Sequence, residues 1–328
     1  HAAICVTDAD TPEGRCYNYG TADFSTPGPL TVGIVRGNAV FWVSVVSQPR
    51  MLAWYVRQDR SIYRQRLPYD ARVTPWLVET LHRADVRSAT FYHYHHFNDN
   101  CTTRIRDLLD NATAQSLSAA TRTVANPPLR HYVDAGLAGR PLLLAISTMF
   151  LGRAIDAPST LWQGMFLPDL LRAQVKTRFG VEPELLYARA APLDIAASRR
   201  SGTVLLIGFG VLLLASVLLG ARSGRPRLGI LPTVIVVGGA GLFLTALAVF
   251  SPLAELRYNE VLLLCWPTDI LLPALPKRLA VQYLGLRLAV MLIAASAAAM
   301  GFLIQPLVGP LALCALPLAG AFFALRRA

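Results

Sequence analysis

FYHYHHFNDNCTTRIRDLLD, residues 91–110, decides how the first two hundred residues fold. Asn98, Asp99 and Asn100 stand directly before Cys101. After it Ile105, Leu108 and Leu109 are apolar while Arg104, Arg106 and Asp107 are polar, which is helical spacing. Asn and Asp are preferred N-caps, so a helix is expected to start between Asn98 and Asn100. That start puts the Cys101 sulfur in the first turn, where unpaired N–H groups and the helix dipole favour an anion. The thiolate is the reactive form of cysteine, and a helix N-terminus lowers its pKa. Asn, Asp and Thr neighbours also make a poor core environment, so Cys101 reads as a nucleophile. Nucleophilic catalysis further needs a histidine and a group that orients it. His82, His93, His95 and His96 lie upstream, and His1 opens the chain.

Working back from this stretch, residues 1–7 (HAAICVT) and 14–20 (GRCYNYG) read as strands joined by the turn formers DADTPE. A hairpin centred between Asp10 and Thr11 pairs residues whose numbers sum to 21. Cys5 then faces Cys16, close enough to be bridged in an oxidising compartment and left as two thiols in a cytosolic one. The same register sets His1 opposite Gly20, with Asn18 as its diagonal neighbour and Tyr17 and Tyr19 on the other face. A bulge or one-residue slip would exchange Tyr19 for Asn18. Residues 31–47 and 62–67 read as further strands, and 73–84, 137–152 and 160–178 as helices. The expected class is α+β, a small antiparallel sheet packed on helices. HAAICVTD shows no signal-peptide pattern, so the chain is expected to begin inside an N-terminally incomplete domain.

The composition divides the chain. It is 54% hydrophobic over 328 residues with a mean hydropathy of +0.42, and the apolar excess lies beyond residue 200. Residues 1–200 are expected to form an extramembrane domain and 201–328 a membrane domain. Runs 203–220, 229–250, 288–304 and 306–325 are expected spans. Residues 261–276 are apolar but short, with Pro267 and Asp269 inside, and fit a bent, re-entrant or marginal crossing. The loop with Arg222, Arg225 and Arg227 marks the cytoplasmic side, which leaves residues 1–200 outside the inner membrane. If 261–276 crosses, Lys277-Arg278 and Arg326-Arg327 join that side, so the charge pattern favours five crossings over four. Asp269 is a costly intramembrane carboxylate and hence a pointer to function.

The net charge of +11 comes from scattered arginines and from membrane flanks, with no Lys-rich tract. Anionic lipid headgroups are therefore the expected partner, not nucleic acid. Alternation splits His93, His95 and His96 over two faces, and no carboxylate or Cys stands at ligand spacing, so neither metal nor cofactor is expected.

His1 before a strand, YNYG at 17–20, YHYHHFNDNCTTRIRDLLD at 92–110 and MFLPDLL at 165–171 together resemble the Lnb N-terminal periplasmic domain family. The resemblance runs in order to about residue 195 and extends loosely into the membrane part. It implies a permuted papain-like (NlpC/P60-related) fold with Cys101 as nucleophile and His1 as general base. The orienting position falls on Asn18, with Tyr19 as the runner-up. It also implies acyl transfer from a phospholipid donor to the N-terminal amine of a diacylglyceryl lipoprotein, at the periplasmic side of a bacterial inner membrane. Asn100, Arg104, Arg106 and His96 would then meet substrate or headgroup. Two other readings of the residues stay open. One is a cysteine hydrolase, a peptidoglycan peptidase or amidase or a phospholipase; the other is an inactive papain-like sensor or scaffold.

Overall fold

Short runs of β-branched and aromatic residues build the sheet that carries Cys101's neighbours. The computed structural model describes residues 1–327 except 10, 69, 71, 87–90 and 191–199, with backbone only at 84–86. Besides a short antiparallel pair, Ala125–Asn126 with Ser159–Thr160, the strands described are β1 (Ile4–Val6), β2 (Arg15–Thr21), β3 (Val40–Ser47), β4 (Ile62–Arg64), β5 (Tyr92–His93) and β6 (Glu184–Tyr187). Four of them form an antiparallel sheet in the order β1-β2-β3-β5, and β4 pairs with β6. The first hairpin has the register counted from the sequence: Ile4 faces Tyr17, Cys5 faces Cys16 and Val6 faces Arg15. Asp8 starts its turn by accepting the Thr11 N–H at 2.7 Å, and a disulfide joins Cys5 to Cys16. A β-bulge interrupts β2 against β3 between Asn18 and Thr21.

The chain divides into two compact units. His1–Pro127 with Pro158–Pro192 forms the first; Pro128–Ala157 with Leu193–Ala328 forms the second. In the first, helices α1 (Pro27–Val35), α2 (Gln48–Arg57), α3 (Thr74–Val86), α4 (Cys101–Ala112) and α5 (Pro168–Phe179) accompany the sheet. Tyr17 and Tyr19 from β2, Leu81 from α3, Ile105 and Leu109 from α4, and Leu171 from α5 share one core. Ile105 and Leu109 are four residues apart, so one face of α4 points inward.

One strand expectation fails. Residues 31–35 are the end of helix α1, and the strand starts only at Val40. Pro27 and Pro29 sit in the first turn of α1, and Gly37, at φ +65°, turns the chain back into the sheet.

Among the described residues of the second unit, four helices are long and apolar enough to cross a membrane: α6 (Ser201–Arg222), α7 (Pro226–Phe250), α8 (Lys277–Ala299) and α9 (Val308–Arg327). Gly210 lets α6 touch α9, since a Cβ there would lie 2.6 Å from the Ala312 carbonyl oxygen. The third helix corrects the expected span 288–304: it starts eleven residues earlier, at Lys277, and ends before Gly301 and Pro306. Arg287 hid this in the sequence, because a charge normally ends a span. It is fully buried, with Nε and Nη2 each 2.9 Å from the Asp269 carboxylate and its guanidinium 4.4 Å from the Trp266 ring centre.

Residues 261–276 do not form a fifth α-helix. They fold as two 3₁₀ stretches, Glu260–Leu263 and Pro267–Ala274, as expected where Pro267 and Pro273 break an α-helical ladder. The segment nevertheless runs the length of the unit. At one end Glu260 accepts the Gln305 N–H at 2.9 Å; at the other Leu275 accepts from Arg227 at 3.2 Å.

Candidate active site

The start of α4 is fixed by one side chain. Asn100 is the N-cap, and its Oδ1 accepts the Thr102 N–H at 2.8 Å and the Thr103 N–H at 2.9 Å. Thr103 Oγ1 accepts the Asn100 N–H in return at 2.7 Å, which completes a capping box. The Asn100 amide nitrogen donates to the carbonyls of His96 at 2.7 Å and Phe166 at 3.1 Å. Asn100 is thus committed to holding the helix start, and it ties the MFLPDLL segment to that start. With the Arg104 N–H also bound to the Asn100 carbonyl, the Cys101 N–H is the first-turn donor without a protein partner among the described residues.

Cys101 is half-buried, and His1 meets it across Gly20. A Cβ built on Gly20 would fall 2.8 Å from His1 Cε1, 3.1 Å from His1 Nδ1 and 3.4 Å from Cys101 Cβ. Burial pushes the Cys101 thiol up. A hydrogen bond and the charge of His1, the Ala2 N–H and the Thr102 hydroxyl outweigh it, so the pKa lies below the ordinary thiol value. The Thr102 hydroxyl is 3.8 Å from the sulfur.

The remaining expected positions divide. Asn18 turns back on its own strand and accepts the Gly20 N–H at 3.0 Å, which shapes the bulge under His1. Tyr19 is buried in the core beside Tyr17, and its carbonyl accepts a hydrogen bond from Tyr92. Arg104 donates to Asp99 through Nη2 at 2.6 Å and lies 4.3 Å from the Tyr92 ring centre. Arg106 is buried elsewhere on α4, 3.9 Å from the Trp162 ring centre and 2.8 Å from Asp107 Oδ1. Burial lowers its pKa from the ordinary arginine value. His96 stays accessible while its ring packs beside Phe97 and Phe166, and Nδ1 lies 3.1 Å from the Tyr94 hydroxyl. Desolvation on the packed side and the charge of His95 lower its pKa. His95 Nδ1 accepts the Asn98 N–H at 3.3 Å, in the turn that leads into α4.

Three tyrosines around the sulfur were not expected. Tyr55 on α2 stacks on His1, ring centres 5.7 Å apart and planes 23° from parallel. Burial first, and then the Cys101 charge, push Tyr55 up to about 12 and also raise Tyr92 and Tyr94. All three phenols therefore stay neutral beside the Cys101 sulfur. Tyr92 and Tyr94 stand inside the quoted stretch, where alternation with the histidines was the available signal. Tyr55 is remote in sequence, and only the packing of α2 brings it to His1.

Residues 1–133 match the family model described as the Lnb N-terminal periplasmic domain. No curated protein and no solved structure matches the chain. Cys101, His1 and the elements that bring them together thus fall within the stretch matched to the Lnb N-terminal periplasmic domain, in a chain whose described residues include four helices long and apolar enough to cross a membrane.

Proposed function

We propose that the protein is a membrane-bound cysteine acyltransferase that moves a fatty acyl chain from a phospholipid to the N-terminal amine of a lipoprotein. The observation that carries this reading is the His1-stabilised Cys101 sulfur at the start of α4. The thiolate attacks an ester carbonyl of the donor, forming a C–S bond. The carbonyl oxygen, now negative, accepts the Cys101 N–H that the capping box leaves unused. As the C–O bond breaks, the His1 imidazolium protonates the departing lysophospholipid alkoxide. A neutral lipoprotein amine then attacks the thioester, His1 takes its proton, and the thiolate leaves. Donor and acceptor are both lipids, and a catalytic domain carried on membrane helices meets them at high effective concentration. Tyr55 stacks on the imidazole and holds its plane, and Asn18, with Tyr19 as runner-up, is the orienting position that the family resemblance implies. His96 and Arg104, the latter paired with Asp99, are assigned to meet substrate or headgroup.

The test is intact mass spectrometry of the full-length protein after incubation with phospholipid, beside Cys101→Ala. The expected result is a hydroxylamine-sensitive gain of one acyl mass, absent in the variant, with lysophospholipid released. Added diacylglyceryl peptide should discharge the adduct into an N-acyl product. Discharge by water alone would make the protein a lipid hydrolase. Absence of both adduct and lysophospholipid would overturn acyl transfer from phospholipid.

A further inference from the structure

Three segments far apart in sequence bring their positive charges to one end of the membrane unit. The end of α6, the turn after it and the start of α7 supply Arg222, Arg225 and Arg227, the start of α8 supplies Lys277 and Arg278, and the end of α9 supplies Arg326 and Arg327. No Asp or Glu occurs in residues 201–254 or 270–328. Among the described residues, none of these seven cations has a carboxylate partner. A cavity of about 360 Å³ opens between the three segments, lined by Arg225, Arg227 and Lys277, with Leu228 and Leu325 as apolar walls.

We propose that this cavity binds the phosphate headgroup of an anionic phospholipid. A charge bias that only orients the chain in a membrane depends on how many cations flank the spans, and it does not require them to converge. Here they converge because the 3₁₀ segment brings Lys277 back to the α6–α7 turn. Arg227 Nη2 is fixed on the Leu275 carbonyl at 3.2 Å. That bond orients the guanidinium and leaves its other donors for an oxyanion. The apolar walls sit where glycerol and the first acyl methylenes of a lipid would lie. They are the reason for assigning a lipid and not free phosphate, and basic pockets between membrane helices suit such headgroups. The proposal is independent of the chemistry assigned to Cys101.

The experiment is native mass spectrometry of the purified full-length protein with equal amounts of phosphatidylglycerol and phosphatidylcholine. The wild type is expected to retain one phosphatidylglycerol with about tenfold preference, the effect of one charge-assisted contact. The cavity triple Arg225→Gln/Arg227→Gln/Lys277→Gln should bind both lipids alike. The triple Arg222→Gln/Arg278→Gln/Arg327→Gln removes the same charge outside the cavity and should keep the preference. Equal loss in both triples, or no preference in the wild type, would overturn the site. Displacement of phosphatidylglycerol by millimolar inorganic phosphate would replace the lipid with a simple anion and also overturn it. If the cavity triple fails to fold, Lys277→Gln against its neighbour Arg278→Gln reads the same contrast. Identical behaviour of that pair counts against the proposal.

Discussion

Gly20 shows how one missing methyl group can decide whether a histidine reaches a sulfur. Its backbone does not occupy the left-handed region, so alanine fits the local conformation. The added Cβ, however, would lie 2.8 Å from His1 Cε1, well inside contact distance. Gly20→Ala should therefore leave the fold intact and push the imidazole away from Cys101. Thioester formation should slow about 100-fold, the usual cost of a displacement near 1 Å. Alkylation of Cys101 by iodoacetamide as a function of pH gives a readout independent of activity. His1 is what chiefly holds the thiol pKa down, so the midpoint should rise in Gly20→Ala and further in His1→Ala. An unchanged midpoint in both would remove His1 from the site. Counting strand register was enough to set His1 opposite Gly20. The bulge between Asn18 and Thr21 was less legible, and there Asn18 accepts the Gly20 N–H of its own strand. Tyr55 then stacks on His1 from a helix that local pattern does not connect to the strand.

At the scale of elements, α4 was readable because its start is chemically explicit. Asn before Cys-Thr-Thr is a cap signal, and the apolar spacing that follows fixes the inward face. The cap carries more than the helix, since Asn100 also holds the carbonyls of His96 and Phe166. Asn100→Ala strips two N–H groups and two carbonyls of partners at once, and should cost roughly 2–3 kcal/mol by chemical denaturation. Asn100→Asp keeps the oxygen that caps α4 but sets a carboxylate against those two carbonyls. It should lose less helix stability and still raise the Cys101 pKa, because a negative charge beside a thiolate disfavours it. Equal stability of all three proteins would mean that α4 is positioned by its apolar face alone. Residues 31–35 carry an ambiguous pattern, because apolar β-branched runs look alike in short helices and strands, and the deciding prolines stand before the run.

Across the whole molecule the membrane unit was legible in outline, and its one unusual stretch was not. Hydropathy marks apolar length, but a buried ion pair splits its signal between Asp269 and Arg287. The pair sits where the backbone is not α-helical, and that location explains the residue types. Carbonyls freed by a helix break inside a membrane need donors, and Arg287 Nη2 donates to the Leu264 carbonyl at 2.5 Å as well as to Asp269. Tyr283 adds a further donor to Asp269 at 2.6 Å and shares its hydroxyl with Thr268 at 2.9 Å. Asp269→Leu would leave a buried guanidinium, and Arg287→Leu a buried carboxylate; each should cost about 3–5 kcal/mol. The double variant removes both charges but still orphans the Leu264 carbonyl, so its loss should be only about 1–3 kcal/mol. Denaturant unfolding of the full-length protein in detergent separates this from simple additivity, which predicts the sum of the single losses. Additive losses would mean that Asp269 and Arg287 act independently, against the geometry. A stable double variant that no longer forms the Cys101 thioester would show that the ion pair serves the reaction as well as the fold.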